Sequence, residues 1–322
     1  MTKFFLSLLT LLLGPALAEP LRVVATVGMI ADVAQEVAGD CAEVSALMQP
    51  GVDPHLYRAR PSDVRELFYA DLVLYSGYGL EGQLGEVLGA LGERKPVLAV
   101  TEAAVPQADT LLADDAYGVD PHLWMDVARW AELPAVIAGA LAQLEPGCAE
   151  ALAERASAYT AQLLALDAWV RESVASIPAA GRVLVTAHDA FGYYGAAYGL
   201  EVAAVQGLST EAEASLADVR DTVALVVERR VPALFVESSI NPRTVQAVFE
   251  AVAARGGSVC VGGELFSDAL GGANSPEGSY IGMIHHNTRA IAEALGGSAP
   301  PLPEALAPWL ERWQLEANEA AP

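Results

Sequence analysis

A run of about thirty residues without glycine or proline, 148–177, divides the sequence into two halves. The run is rich in alanine and leucine, and it lacks the two residues that most often end a helix. At 1.5 Å per residue the predicted helix is about 45 Å long, which is more than the interior of one domain usually holds. We therefore predict that this helix connects two lobes.

Apolar runs that are typical of buried strands alternate with helical patterns on both sides of this helix. The predicted strands are 21–27, 43–48, 72–76 and 97–100 before it, and 182–186, 202–205, 233–237 and 259–261 after it. Such alternation is the βαβ pattern of a parallel sheet. The predicted fold class is α/β, with two Rossmann-like lobes that have parallel sheets and are joined by one long linking helix. The predicted boundaries are 19–146 for the first lobe, 147–177 for the linking helix and 178–322 for the second lobe.

The first eighteen residues have the features of a secretory signal peptide. Lys3 precedes the apolar run 4–13, and Ala16-Leu17-Ala18 forms an A-x-A cleavage site. The apolar run is too short to span a bilayer, so residues 1–18 are predicted to be removed and the mature chain to be periplasmic. The first cysteine after the predicted cut is Cys41, and we therefore expect no lipid anchor at the new N-terminus.

The chain is strongly acidic, with 41 Asp and Glu against 18 Lys and Arg, which gives a formal net charge of −23 at pH 7. A surface of this sign repels nucleic acid and anionic lipid headgroups and concentrates cations. Solubility alone can account for most of the charge. We therefore expect no nucleic-acid partner, and we predict a monomer.

The three cysteines, Cys41, Cys148 and Cys260, are spread widely along the chain. They allow at most one disulfide and do not have the spacing of a zinc finger. The sequence leaves open whether any two of them pair.

The tetrapeptide Asp-Pro-His-Leu occurs twice, at 53–56 and 120–123, in a chain with only five histidines. Proline fixes its own φ and keeps the preceding residue out of the helical region, so each motif is predicted to present its histidine from a stiff, extended loop. His55 also follows a predicted strand, and ligands of α/β proteins bind beyond the carboxyl ends of strands. A single histidine is more often structural, but the repetition in His55 and His122 indicates a metal site.

Two further candidates lie in the second half. His188 directly follows the predicted strand 182–186, and Asp268 is the carboxylate at the centre of the glycine-flanked segment 262–272, which could also be a plain surface turn. Three imidazoles and one carboxylate suit Zn²⁺, and they can also hold Mn²⁺ or Fe²⁺ if the carboxylate binds through both oxygens. Asp189 is predicted to be the N-cap of the next helix rather than a ligand. Glu237, at the end of another strand, is a competing carboxylate that we place behind the ligands.

Other residues near these motifs have simpler interpretations. His285 and His286 are adjacent in a predicted helix and therefore point about 100° apart, so we predict that they lie on the surface or pack against other helices. Trp124 and Met125 are predicted to pack between the lobes.

Taken together, these segments resemble the solute-binding proteins of zinc, manganese and iron ABC transporters. The resemblance covers essentially the whole mature chain and rests on 50–57, 120–126, 187–194, 235–239 and 263–268. It implies two lobes joined by one long helix, and delivery of a metal ion to a membrane permease rather than catalysis. It also implies that the ligands are His55, His122, His188 and Asp268.

Two departures from the family pattern bear on the identity of the metal. Many zinc-specific members have a histidine-rich loop before the second ligand, whereas segment 113–120 is short and acidic here. Many manganese-specific members have Glu where this chain has His188. Because nitrogen-rich sites bind zinc more tightly than manganese or iron, we expect Zn²⁺ first, Mn²⁺ second and Fe²⁺ third.

Two other functions are compatible with three histidines and a metal. A secreted zinc-dependent hydrolase is the main alternative, but Asp268 would occupy the position that a catalytic zinc keeps for water, and no H-E-x-x-H motif is present. A surface interaction protein that uses the metal only for folding is the other. It would be unfolded without metal, whereas an α/β chain of this size should stay folded.

Overall fold

The computed structural model describes residues 20–113 and 118–316. The predicted signal peptide, residue Glu19 and the acidic pair Asp114 and Asp115 lie outside these ranges. Within them the chain forms eight strands and twelve α-helices. The α/β prediction is confirmed, and the strands all pair in parallel.

The first half contains a four-stranded sheet in the order β2-β1-β3-β4. Its strands are β1 (Leu21–Ala25), β2 (Ala42–Ala46), β3 (Leu72–Tyr75) and β4 (Val97–Ala99). Its helices are α1 (Gly28–Ala38), α2 (Pro61–Tyr69), α3 (Leu84–Gly92), α4 (Val100–Ala104), α5 (Val127–Trp130) and α6 (Leu133–Leu144). Buried valines and leucines of β1 and β3 form the centre of the sheet. Because its strands are all parallel, the loops that follow them emerge at the same edge.

A long helix, α7 (Ala149–Ala175), follows and lies within the range predicted for the linking helix. Its 27 residues span about 40 Å. It packs against α1, α5 and α6 from the first half of the chain and against α8 (Gly192–Tyr198) and α11 (Tyr280–Ala294) from the second half. Neither α7 nor any other helix in the described ranges is long and apolar enough to cross a membrane. The lobe boundaries themselves remain a prediction.

The second half contains two strand pairs, β5–β6 and β7–β8, with β5 lying beside β7. The strands are β5 (Val183–His188), β6 (Glu201–Gln206), β7 (Ala233–Glu237) and β8 (Cys260–Leu265). The remaining helices are α9 (Leu216–Arg229), α10 (Arg243–Ala254) and α12 (Ala307–Trp313). A separate core of valines fills the space between these strands and the helices α9 and α10, and the main core extends from α1 and α6 across α7 to α11.

Most predicted strand ends differ from the structure by one to four residues, and two of these errors concern candidate site segments. β5 continues through His188, so this histidine is the last residue of the strand rather than the one after it. β8 continues to Leu265, so Gly262 and Gly263 lie in a strand and not in the predicted loop. A Cβ at Gly262 would lie 2.5 Å from the Phe235 ring, which explains why the strand has glycine there.

The N-cap prediction for Asp189 was also wrong. Helix α8 begins at Gly192 and its N-cap is Phe191, which makes no side-chain capping bond. The strand pairing of His188 with Gln206 is followed by a bond from the Asp189 backbone N–H to the Gly207 carbonyl, so Asp189 continues the contact with β6 and does not open the helix. Asp189 is instead partly buried beside the Asp120 carboxylate, and burial together with that charge raises its pKa.

One disulfide joins Cys41 to Cys148, with their Cα atoms 6.2 Å apart. It connects the turn after α1 to the turn that precedes α7. Cys260 is an exposed free thiol on β8. The bridge therefore fastens the start of the long helix to the first half of the chain.

Candidate metal centre

The four residues predicted as ligands converge on one buried point. His55, His122, His188 and Asp268 each offer a ligand atom, and these atoms all lie within 4.8 Å of one another. None of the four residues is more than 2% exposed. Asp268 lies between two of the rings, with Oδ1 3.5 Å from His122 Nε2 and Oδ2 3.2 Å from His188 Nε2. His55 Nε2 completes the cluster, 3.3 Å from His122 Nε2.

The two Asp-Pro-His-Leu motifs fold into the same local turn. Asp53 Oδ1 accepts the backbone N–H of His55 at 2.8 Å, and Asp120 Oδ1 accepts that of His122 at 2.9 Å. The loops therefore turn at the histidine and are not extended as predicted. The stiffness of each loop therefore depends on the aspartate as well as on the proline, and the tendency of Asp to bond the backbone two residues on is the sequence signal for it.

Two carboxylates contact the Nδ1 atoms of His122 and His188, which lie on the side of each ring away from the shared centre. Asp120 Oδ1 lies 2.8 Å from His122 Nδ1, and Glu237 Oε2 lies 2.5 Å from His188 Nδ1. Because each Nδ1 is engaged in this way, each Nε2 faces the shared centre. Metal-binding histidines in proteins are oriented by this kind of carboxylate contact. The placement of Glu237 behind the candidate ligands agrees with the sequence argument.

Two buried polar atoms of the cluster, His188 Nε2 and Asp268 Oδ1, make no hydrogen bond of good geometry within the described ranges, and each has only the ion-pair contact given above, at 3.2 and 3.5 Å. A buried polar atom without a partner is costly, and it usually has a functional explanation. A cation bound at the centre would contact both atoms at once. Three imidazole nitrogens and a carboxylate are donors that fit zinc, and manganese as well if both Asp268 oxygens bind.

Burial and the charges of the centre shift the pKa values of its histidines in opposite directions. Burial lowers the pKa of His55 to about 3. Burial acts in the same direction on His122, but its bonds to Asp120 and Asp268 outweigh this effect and raise its pKa to about 9. For His188 the charges of Asp268 and Glu237 overcome burial and raise the pKa well above its usual value. The same ion pairs hold the pKa of Asp268 well below the usual range, despite complete burial.

The segment that carries Asp268 is fastened to the segment that carries His122. Trp124 Nε1 donates to the Ser267 carbonyl at 2.7 Å, and the Trp124 carbonyl accepts from the Tyr280 hydroxyl at 2.8 Å. Trp124 is fully buried and its ring packs on His122 at a centroid distance of 5.2 Å. Trp124 thus joins ligand segments from the two halves of the chain.

The remaining histidines lie outside the centre, as predicted. The His285 ring packs between Trp169 and Trp309, at centroid distances of 5.2 and 5.8 Å. His286 Nε2 lies 2.9 Å from the Glu264 carbonyl oxygen. Both residues serve the packing of α11.

Comparison with known proteins gives a consistent result. The family model described as zinc-uptake complex component A, periplasmic (ZnuA), matches residues 23–294. The zinc-binding protein TroA of Treponema pallidum (strain Nichols) is 47% identical over 273 residues, which cover 85% of this chain and 88% of that protein. The manganese-binding lipoprotein MntA of Bacillus subtilis (strain 168) is 42% identical over 282 residues, covering 88% and 92%. The solved structure of the periplasmic zinc-binding protein TroA from Treponema pallidum superimposes with a TM-score of 0.83 at 46% identity, covering 86% of this chain and 99% of that one.

Proposed function

The chain belongs to the family of periplasmic zinc-uptake components, and we propose that it captures a divalent metal ion and delivers it to the permease of an ABC transporter. The proposed ligands are His55, His122, His188 and Asp268. One observation carries this proposal most strongly: four buried donor atoms meet at one point, and two of them make no hydrogen bond of good geometry.

The donor set favours zinc as the cargo. Nitrogen ligands bind zinc more tightly than manganese or iron, and three of the four proposed ligands are imidazoles. The relatives reported above are named zinc-binding and manganese-binding, which supports Zn²⁺ and then Mn²⁺ as the ions carried here. Fe²⁺ is third in this order.

A binding role is preferred over catalysis because of the place of Asp268. A catalytic zinc has three protein ligands and an open position for water, whereas Asp268 Oδ1 and Oδ2 both point at the centre between the rings. Family membership supports the same conclusion, and the hydrolase alternative has no supporting observation.

The family description and the signal-like N-terminus support a periplasmic location. One relative is named a lipoprotein, so the absence of a lipid anchor stays a prediction. The monomeric state also stays a prediction.

Metal titration against a competing chelator tests the proposal, with zinc and manganese run separately at fixed pH. We expect saturable binding of one ion per chain, tighter for zinc. His188→Ala and Asp268→Ala should each weaken zinc binding about a hundredfold or more, a loss of about 3 kcal/mol. His286→Ala removes an imidazole outside the centre and is the matched control. The proposal fails if the wild-type chain shows no saturable binding, or if His188→Ala and His286→Ala behave alike.

A further inference from the structure

Besides the contacts of Trp124, a hydrogen bond between Thr210 and Asp53 crosses from the second half of the chain to the first beside the metal centre. Thr210 Oγ1 donates to Asp53 Oδ2 at 2.5 Å. Asp53 stands two residues before His55, and Thr210 lies in the loop between β6 and α9. We propose that this bond is a latch that holds His55 on the metal, so that Thr210, which is not a ligand, sets the rate of metal release. The inference rests on the proposed function.

The two oxygens of Asp53 accept the two hydrogen bonds that such a latch needs. Oδ1 accepts the backbone N–H of His55 and Oδ2 accepts the Thr210 hydroxyl. The bond between Thr210 and Oδ2 therefore restrains the same rigid carboxylate that binds the His55 backbone, and it limits the movement of the imidazole. Hydrogen bonds to an ionised carboxylate are among the stronger ones in proteins.

The other end of the latch is anchored next to His188. Gln206 Nε2 donates to the carbonyls of Thr210, at 3.1 Å, and Ala212, at 2.6 Å. Gln206 is the last residue of β6 and pairs with His188 of β5 in the strand register. These contacts connect two proposed ligands through residues that are not ligands. They run in order through His188, Gln206, Thr210, Asp53 and His55.

The segment that carries His55 has space to move once the latch opens. Gln49, Pro50 and Val52 line a cavity of about 390 Å³, which the segment from Asp268 to Gly271 also lines. In contrast, the segments of His122 and Asp268 are fastened together through Trp124. His55 is therefore the ligand that leaves first when metal is released.

Rapid mixing of the zinc-loaded chain with excess chelator measures the release rate directly. Thr210→Val keeps the shape of the side chain and removes the hydroxyl, and Thr210→Ser keeps the hydroxyl. We expect Thr210→Val to release zinc about tenfold faster, with little change in the association rate, because a hydrogen bond to a charged group is lost. Thr210→Ser should restore release to within about twofold of wild type. Circular dichroism confirms that each variant is folded.

A double-mutant cycle with Asp53→Asn tests whether the two residues act through one bond. Asp53→Asn should speed release in the wild-type chain and add little in the Thr210→Val chain. If Thr210→Val does not fold, Asp53→Asn alone must speed release for the latch to stand. Equal release by wild type and Thr210→Val overturns the latch, as does equal acceleration by Thr210→Val and Thr210→Ser. A wild-type chain that binds no zinc overturns the proposed function itself.

Discussion

Glu237 uses both carboxylate oxygens to hold His188. Oε2 lies 2.5 Å from His188 Nδ1, and Oε1 accepts the backbone N–H groups of Ala187 and His188 at 2.7 and 2.9 Å. The two residues meet because β5 lies beside β7, and each is the last residue of its strand. The fold therefore fixes both the position and the orientation of the imidazole.

Replacing this carboxylate with its amide should weaken metal binding and leave the fold intact. In Glu237→Gln the amide oxygen can still accept the backbone N–H groups, but the amide nitrogen then faces His188 Nδ1 and favours a proton on Nε2. We expect zinc affinity to fall about 10- to 100-fold in a chelator titration. Glu264→Gln, an exposed position on the neighbouring strand β8, is the control and should leave affinity unchanged. Equal affinities for the two variants would show that Glu237 does not orient the ring.

Metal binding should release protons and weaken in acid. In the metal-free chain the pKa of His122 is raised to about 9 and that of His188 well above its usual value, so both rings carry a proton on Nε2 at neutral pH. The metal must displace about two protons, and its affinity should therefore fall as the pH falls from about 9 towards 5. Calorimetry in two buffers with different protonation enthalpies measures the proton count. A binding heat that is the same in both buffers would contradict this prediction.

The indole of Trp124 should matter for metal binding through its N–H group. Trp124→Phe leaves the Ser267 carbonyl, next to Asp268, without this donor, at a cost of about 1–3 kcal/mol. Zinc affinity should fall by about tenfold, as measured by chelator titration. Trp313→Phe is a matched control, because the indole nitrogen of Trp313 is buried and makes no hydrogen bond. If both variants weakened zinc binding equally, the hydrogen bond from Trp124 to Ser267 would have no specific effect on zinc affinity.

The disulfide should stabilise the fold without affecting the metal centre. Cys41 and Cys148 are 107 positions apart, and cross-linking a loop of this length contributes about 4 kcal/mol to the free energy of unfolding. The Cys41→Ser, Cys148→Ser double variant should unfold at a lower denaturant concentration and bind zinc as the wild type does. Cys260→Ser removes the free thiol and should change neither property. A denaturation midpoint unaffected by loss of the bridge would contradict the prediction.

The sequence predicts the positions of His55 and His122 well because the information is local. Asp, Pro and His within three residues favour a stiff loop in both motifs, and the alternation of strands and helices places the first of them beyond the end of a strand. The same local reasoning misplaced the start of helix α8, since the capping tendency of Asp189 yields to the strand pairing of His188.

Contacts between distant parts of the chain could not be predicted in this way. Thr210 and Asp53 are separated by 157 positions, and nothing in the sequence around Thr210 indicates a partner. The pairing of Glu237 with His188 depends on which strands become neighbours in space. These contacts decide how the ligands are held, so the sequence indicated which residues could bind metal and the structure indicates how they are oriented.

Anomalous diffraction from crystals of the zinc-loaded chain, recorded on both sides of the zinc absorption edge, would locate the ion and its ligands. We expect one strong peak bonded to His55 Nε2, His122 Nε2, His188 Nε2 and the carboxylate of Asp268, at distances of about 2.0–2.2 Å. Crystals loaded with manganese should show the ion at the same point. A peak elsewhere, or a peak that one of these four side chains does not contact, would show that the proposed ligand set is wrong.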